Sequence, residues 1–212
     1  MEEFISLGAP CESELVIKRS RFICHLIPVT DLAQAEEAIS AVRRENHDAR
    51  HNCSAMILGP RRDTEKASDD GEPQGTAGIP MLEVLRRSGV TDILAVVTRY
   101  FGGILLGAGG LVRAYSGSVA QTLKEASLIA NIPARCIRIT LPYQDYGKLQ
   151  NISASFGGSV EAGFGEAVTA DITLPAGKAD AFLTRMNEAL LGALQVEEMS
   201  TCLLQRPAGD IL

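Results

Sequence analysis

Apolar positions along this chain recur with two periods, two and between three and four, and the change from one to the other marks out its elements. Glu14 to Ile27 reads as a hairpin or two short strands, with Lys18-Arg19-Ser20-Arg21 as the exposed connection. Thr30 or Asp31 then caps a helix in which Leu32, Ala35, Ile39 and Val42 share a face and which ends near Asn46. Cys53 to Leu58 is the next strand, closed by Gly59-Pro60. Asp63 to Gly75 is polar, contains Gly71 and Pro73, and is expected to be a surface loop longer than a plain connection requires. Pro80 suits the first turn of a helix that runs to Ser88 and is ended by Gly89. Ile93 to Val97 is apolar throughout, the pattern of a strand covered on both sheet faces. After a glycine-rich segment, a helix starting near Leu111 presents Leu111, Val112, Tyr115, Val119, Leu123 and Ala126 on one broad face.

Asn131-Ile132-Pro133 marks a boundary, because proline cannot continue a helix and a strand pattern begins at Arg135. Strand Cys136–Leu141, a helix around Tyr143 to Ala154, strand Val160–Phe164 and an alternating strand Val168 to Leu174 follow. A helix through Ala179, Phe182, Leu183, Met186 and Leu190, and a strand from Met199 to Leu204, complete the order βαββαβ. That order is ferredoxin-like, with helices on one sheet face only. The expectation is an α+β protein of two domains, residues 1–132 and 133–212.

Composition narrows the function classes. Apolar residues are 46% of 212, enough to fill ordinary cores, and no apolar run is long enough to cross a bilayer. Met1-Glu2-Glu3 has the wrong charge for a secretory leader, so a cytoplasmic protein that does not engage membranes is expected. Five scattered cysteines argue against a disulfide framework. The net charge is −6, with 14 basic against 17 acidic residues up to residue 130 and 6 against 9 beyond it. Neither part has a global basic excess, so nucleic acid would have to be met by a local basic face.

Three blocks carry candidate chemistry. Arg99-Tyr100-Phe101-Gly102-Gly103, followed by Gly107, Gly109 and Gly110, joins a strand to a helix through exposed backbone N–H groups, a geometry suited to anions. Arg99 and Arg113 would add bidentate phosphate donors. Neither standard nucleotide fingerprint is present. The alternative is a tight turn with both arginines in ordinary ion pairs. His47-Asp48-Ala49-Arg50-His51-Asn52-Cys53 places two imidazoles and a thiol within seven residues, candidates for acid–base or nucleophilic work, or merely structural groups. No metal site is specified by this spacing, and no cofactor is expected. Asp69, Asp70 and Glu72 could coordinate magnesium, hold arginines of the glycine segment or simply be solvated, while Gln74, Gly75 and Thr76 would form a second small nest of amides.

These blocks closely resemble the YigZ/IMPACT family: Lys18 to Ile23, His47 to Ala55, Asp69 to Gly78, and Arg99 through Gly103, Gly107 and Gly110 to Arg113. The resemblance implies a first domain similar to the second domain of ribosomal protein S5 and to RNase PH. It implies a second domain similar to ferredoxin-like modules of elongation factor G. Eukaryotic members regulate translation by competing for the activator of a stress kinase. The present chain has the bacterial arrangement, so that partner does not carry over.

Two readings follow. In the first, a translation-associated module binds RNA or the ribosome: Lys18, Arg21, Arg99 and Arg113 meet phosphates, Tyr100 or Phe101 stacks on a base, and the glycine amides cradle a phosphate. In the second, an enzyme acts on a small phosphorylated or peptide-like substrate, with His47 or His51 as base, Asp69, Asp70 or Glu72 orienting it or holding a metal, and the Arg99 to Gly110 segment binding the anionic part. A scaffold that binds a protein partner on its free sheet faces is the plain alternative to both.

Overall fold

The computed structural model describes residues 2–210, and the chain divides into a unit holding Phe4–Ala130 and a unit holding Asn131–Arg206. The first begins with β1 (Phe4–Leu7), β2 (Cys11–Ile17) and β3 (Ser20–Pro28). Residues Ile17 and Ser20 pair, leaving only Lys18 and Arg19 in the turn, at φ 47° and 65°. Two successive left-handed residues make the tight hairpin whose twist matches its strands. Helix α1 (Leu32–Glu45) is capped by Asp31, whose carboxylate accepts from the Gln34 amide at 2.9 Å. There follow β4 (His51–Leu58), β5 (Thr64–Ser68), α2 (Gly78–Ser88), β6 (Val90–Thr91), β7 (Ile93–Tyr100) and α3 (Ala108–Glu125).

The main sheet has the order β2-β3-β7-β4-β5, with every neighbouring pair antiparallel. Its central strand β7 is buried on both sides, as its unbroken apolar run requires. Ile93, Ala95 and Val97 face a core closed by Met81, Leu85, Leu111, Tyr115 and Val119 of α2 and α3. Leu94 and Val96 face Ala35 and Val42 of α1. Strand β1 pairs in parallel with β6 at Ile5 and Val90.

The last strands and helices are β8 (Leu128–Leu141), α4 (Tyr146–Ser155), β9 (Ser159–Phe164), β10 (Val168–Pro175), α5 (Ala179–Ala189) and β11 (Val196–Pro207). In the second unit β10 lies between β8 and β9, and β11 pairs with β8, giving the ferredoxin-like order β11-β8-β10-β9. Ile137, Ile139, Ala170 and Ile172 pack with Leu149, Phe182 and Met186 of the helices, while Arg138, Thr140, Thr169 and Asp171 alternate onto the other face.

Three expectations need correction. The stretch from Asp63 is not all loop, because Thr64 to Ser68 pair with β4 from Leu58 to Ser54 as an edge strand. An edge strand buries little, so its polar letters hide it. Nor does Pro133 interrupt the chain: β8 runs through it, proline being compatible with extended backbone, and the ladder to β10 begins at the next residue, where Ala134 pairs with Pro175. Finally, α3 starts at Ala108, which places Gly109 and Gly110 in its first turn instead of in the loop.

Candidate functional site

Strand alternation decides where the first candidate block points. Odd positions of β7 face α2 and α3, so Arg99 follows Ile93, Ala95 and Val97 into that layer, and its side chain is only 8% exposed. There its Nη1 donates to Glu72 Oε1 at 2.6 Å, and the Tyr115 hydroxyl donates to the same oxygen at 2.7 Å. The guanidinium lies between the rings of Phe22 and Phe101, 5.5 and 5.6 Å from their centroids. Arg99 is thus engaged inside the protein and is not an open phosphate donor. Burial also pushes the Tyr115 hydroxyl pKa far above its ordinary value, so it remains a donor.

The expected partners of Arg99 are dispersed. Arg113 is exposed on α3 and Lys18 in the hairpin turn, whereas Arg21 forms a two-pronged pair with Glu14 at 2.9 Å. The Gly102 amide donates to Ser20 Oγ at 3.1 Å, and a Cβ on Gly102 would lie 2.0 Å from the Arg19 carbonyl carbon. Gly103 is open to solvent at φ 82°. Gly107 offers α3 no side-chain cap, so the first-turn amides of Ala108, Gly109 and Gly110 are available to solvent or an anion.

The acidic loop is consumed from within. Asp69 accepts from the amides of Gly75 at 2.7 Å, Gly78 at 2.8 Å and Ala77 at 3.0 Å, so the nest expected around Gln74, Gly75 and Thr76 is filled by this carboxylate. Burial alone would raise the Asp69 pKa, but these three donors outweigh it and hold the carboxyl below its ordinary value. The Thr76 hydroxyl donates to the Pro73 carbonyl, and Gln74 is exposed. Asp70 accepts from Arg43 at 2.6 Å and from the Asn52 amide at 2.7 Å. Among the described residues no cluster of three or more metal-ligating side chains occurs.

The histidine block separates into three environments. His47 is exposed beyond α1. The Cys53 thiol is buried, donates to the Asp69 carbonyl at 2.9 Å and has its pKa pushed up to about 12 by burial, which removes it as a nucleophile. His51 pairs across the sheet with Arg99, and its Nδ1 lies 2.9 Å from the Asp70 carbonyl oxygen. A carbonyl only accepts, so Nδ1 carries the proton and Nε2 of the neutral ring is an acceptor.

The histidine block and the segment from Arg99 to Leu105 line a pocket of about 630 Å³ at the C-terminal end of β7, with Asp48, Ala49, Arg50, His51, Arg99, Tyr100, Phe101 and Leu105 on its walls. Phe101 is 55% exposed, with the Arg99 guanidinium over its ring. The Tyr100 hydroxyl turns away, 2.9 Å from Asn46 Oδ1 and 3.1 Å from Asp48 Oδ1. Among the described residues, Lys18, Arg19, Arg50 and Arg113 form no ion pair, in contrast to Arg21, Arg43 and Arg99. Arg19 and Arg50 were not singled out by motif. Their signal lay in position, Arg19 at the tip of a two-residue hairpin and Arg50 immediately before a strand start, where cations remain outside.

A model of the Impact N-terminal domain matches residues 18–123, and one of a domain of unknown function, DUF1949, matches residues 139–193. The chain is 44% identical to the IMPACT family member YvyE of Bacillus subtilis, over 71% of this chain and 70% of that one. It is 37% identical to the IMPACT family member YigZ of Escherichia coli, over 92% and 98% of the two chains. A crystal structure described as that of a hypothetical protein, 37% identical, superposes with a TM-score of 0.62 over 92% of this chain and 97% of its own. No helix among the described residues is long and apolar enough to cross a membrane.

Proposed function

This chain belongs to the IMPACT family, and from that premise we propose that it is a translation-associated RNA-binding module whose contact site is the pocket at the end of β7. The observation that carries this reading is the half-exposed Phe101 ring, backed by the buried Arg99 guanidinium at the mouth of a pocket whose other arginine, Arg50, has no carboxylate partner. A ring held from behind is a platform for an unpaired base, and stacking of this kind is tolerant of sequence. Phosphates on either side would meet Arg50, Lys18 and Arg19, with Arg113 and the uncapped first turn of α3 as further anion contacts. Arg99 then has a different role from the one its motif suggests: it supports the platform and does not touch the phosphate. The overall acidity of the chain is compatible with this arrangement, because the cations without carboxylate partners include several in and beside one segment.

A catalytic reading has less to build on. The Cys53 thiol is sealed, and Asp69, Asp70 and Glu72 are each occupied by internal donors. The test is equilibrium binding of a labelled single-stranded RNA oligonucleotide to the full chain at rising salt. Affinity is expected to fall steeply with salt, and Phe101→Ala to weaken it about tenfold. Binding that is indifferent to both would reject the site.

A further inference from the structure

The pocket's hydrogen-bonding groups are unequal in kind. Arg50 and Arg99 can only donate, and Phe101, Leu105 and Ala49 contribute no polar side-chain atom. Two side chains with acceptor atoms line the same space. Asp48 is one, but its Oδ1 already lies 3.1 Å from the Tyr100 hydroxyl. The other is His51: with Nδ1–H given to the Asp70 carbonyl, Nε2 is the acceptor of its neutral ring.

The Asp70 carbonyl that fixes the proton on Nδ1 belongs to a residue locked on both sides. One carboxylate oxygen takes the Arg43 guanidinium at 2.6 Å and the other takes the Asn52 amide at 2.7 Å. The next residue, Gly71, lies beside the imidazole: a Cβ there would be in ordinary contact, 3.4 Å from Nδ1. Ring orientation, and the tautomer of the neutral ring, are therefore set before any ligand arrives. His51 also stands directly across the β4–β7 ladder from Arg99, the residue that backs the Phe101 platform.

We propose that His51 Nε2 accepts a hydrogen bond from a ribose 2′-hydroxyl of the nucleotide stacked on Phe101, so that the pocket distinguishes RNA from DNA. This rests on the nucleic-acid reading above and adds the sugar to it. The 2′-hydroxyl is the donor that RNA has and DNA lacks. A base stacked on the platform brings its own sugar into the pocket that His51 also lines. A deoxyribose would leave the Nε2 lone pair without its partner in a partly enclosed site.

The experiment compares three fluorescent single-stranded probes of one base sequence against the full chain: RNA, DNA with deoxyuridine in place of thymidine, and 2′-O-methyl RNA. RNA is expected to bind roughly tenfold more tightly than either of the others, the scale of one such hydrogen bond. His51→Phe keeps a ring but removes the acceptor; it is expected to bring the ratio of RNA to DNA affinity down to about one. Equal binding of RNA and DNA by the unaltered protein overturns the inference while leaving nucleic-acid binding intact, and needs no variant to fold. Discrimination that survives in a folded His51→Phe protein overturns it as well. Failure of all three probes to bind would instead remove the reading on which it stands.

Discussion

The two units of this protein each contain an arginine–carboxylate pair of similar length in opposite surroundings. Arg99 and Glu72, at 2.6 Å, have side chains 8% and 3% exposed; Arg138 and Asp171, at 2.7 Å, are 45% and 48% exposed. The difference comes from the sheets that carry them. In the first unit helices cover both faces of β7, so a polar residue continuing the strand's alternation has no solvent side to turn to. In the second, α4 and α5 cover one face, and Arg138 and Asp171 share the other as a cross-strand pair. A buried pair constrains its neighbours, because neither partner tolerates loss of the other. An open pair is a modest surface contact. The candidate site is built around the buried one.

The comparison is broken most forcefully by Glu72→Ala, which strands a guanidinium in the core and is expected to cost roughly 3–5 kcal/mol in denaturant unfolding. A loss below about 1 kcal/mol would mean that water reaches Arg99 after all. Asp69→Asn should come next, at about 2 kcal/mol at neutral pH, since the amide cannot satisfy all three backbone donors that the carboxylate accepts. Its effect carries a pH signature. The folded protein holds the Asp69 pKa below its unfolded value, so its stabilisation is present above the ordinary carboxylate range and is lost as pH falls through the lower, folded value. The slope of stability against pH below about 4 should therefore flatten in Asp69→Asn.

Phe101→Ala sharpens the comparison from the ligand side: about tenfold weaker RNA binding, with thermal stability nearly unchanged because the ring is half exposed. The smallest effect belongs to the open pair. Arg138→Ala should change stability by no more than about 1 kcal/mol and less at high salt, as checked by unfolding at two ionic strengths. The Asp171 pKa is lowered chiefly by its hydrogen bonds to Arg138, so salt should raise it, whereas the backbone donors of Asp69 are insensitive to ions.

What the letters revealed follows the same division between local and distant causes. The cap at Asp31, the doubly covered Ile93 to Val97 run and the βαββαβ order depend on residues near one another in sequence, and all are present. Strand β5 escaped notice because Thr64 to Ser68 bury too little to leave a pattern. Within the candidate site, the burial of Arg99 was legible in principle, as the fourth odd position of an alternating strand. Its partner was legible only as one of three acids able to hold an arginine of the glycine segment, because the pairing spans 27 residues and nothing local distinguishes Glu72 from Asp69 or Asp70. The tautomer of His51 likewise depends on a carbonyl 19 residues away.

The contact between Gly102 and the Arg19 backbone has a practical consequence for evolution and for protein engineering alike. A library randomised across residues 99–105 and selected for any new ligand would return a single letter at position 102. Filtering for foldable chains acts there first, whatever chemistry is being sought at its neighbours. Diversity at Phe101 is therefore affordable only on a background where the following codon is held constant.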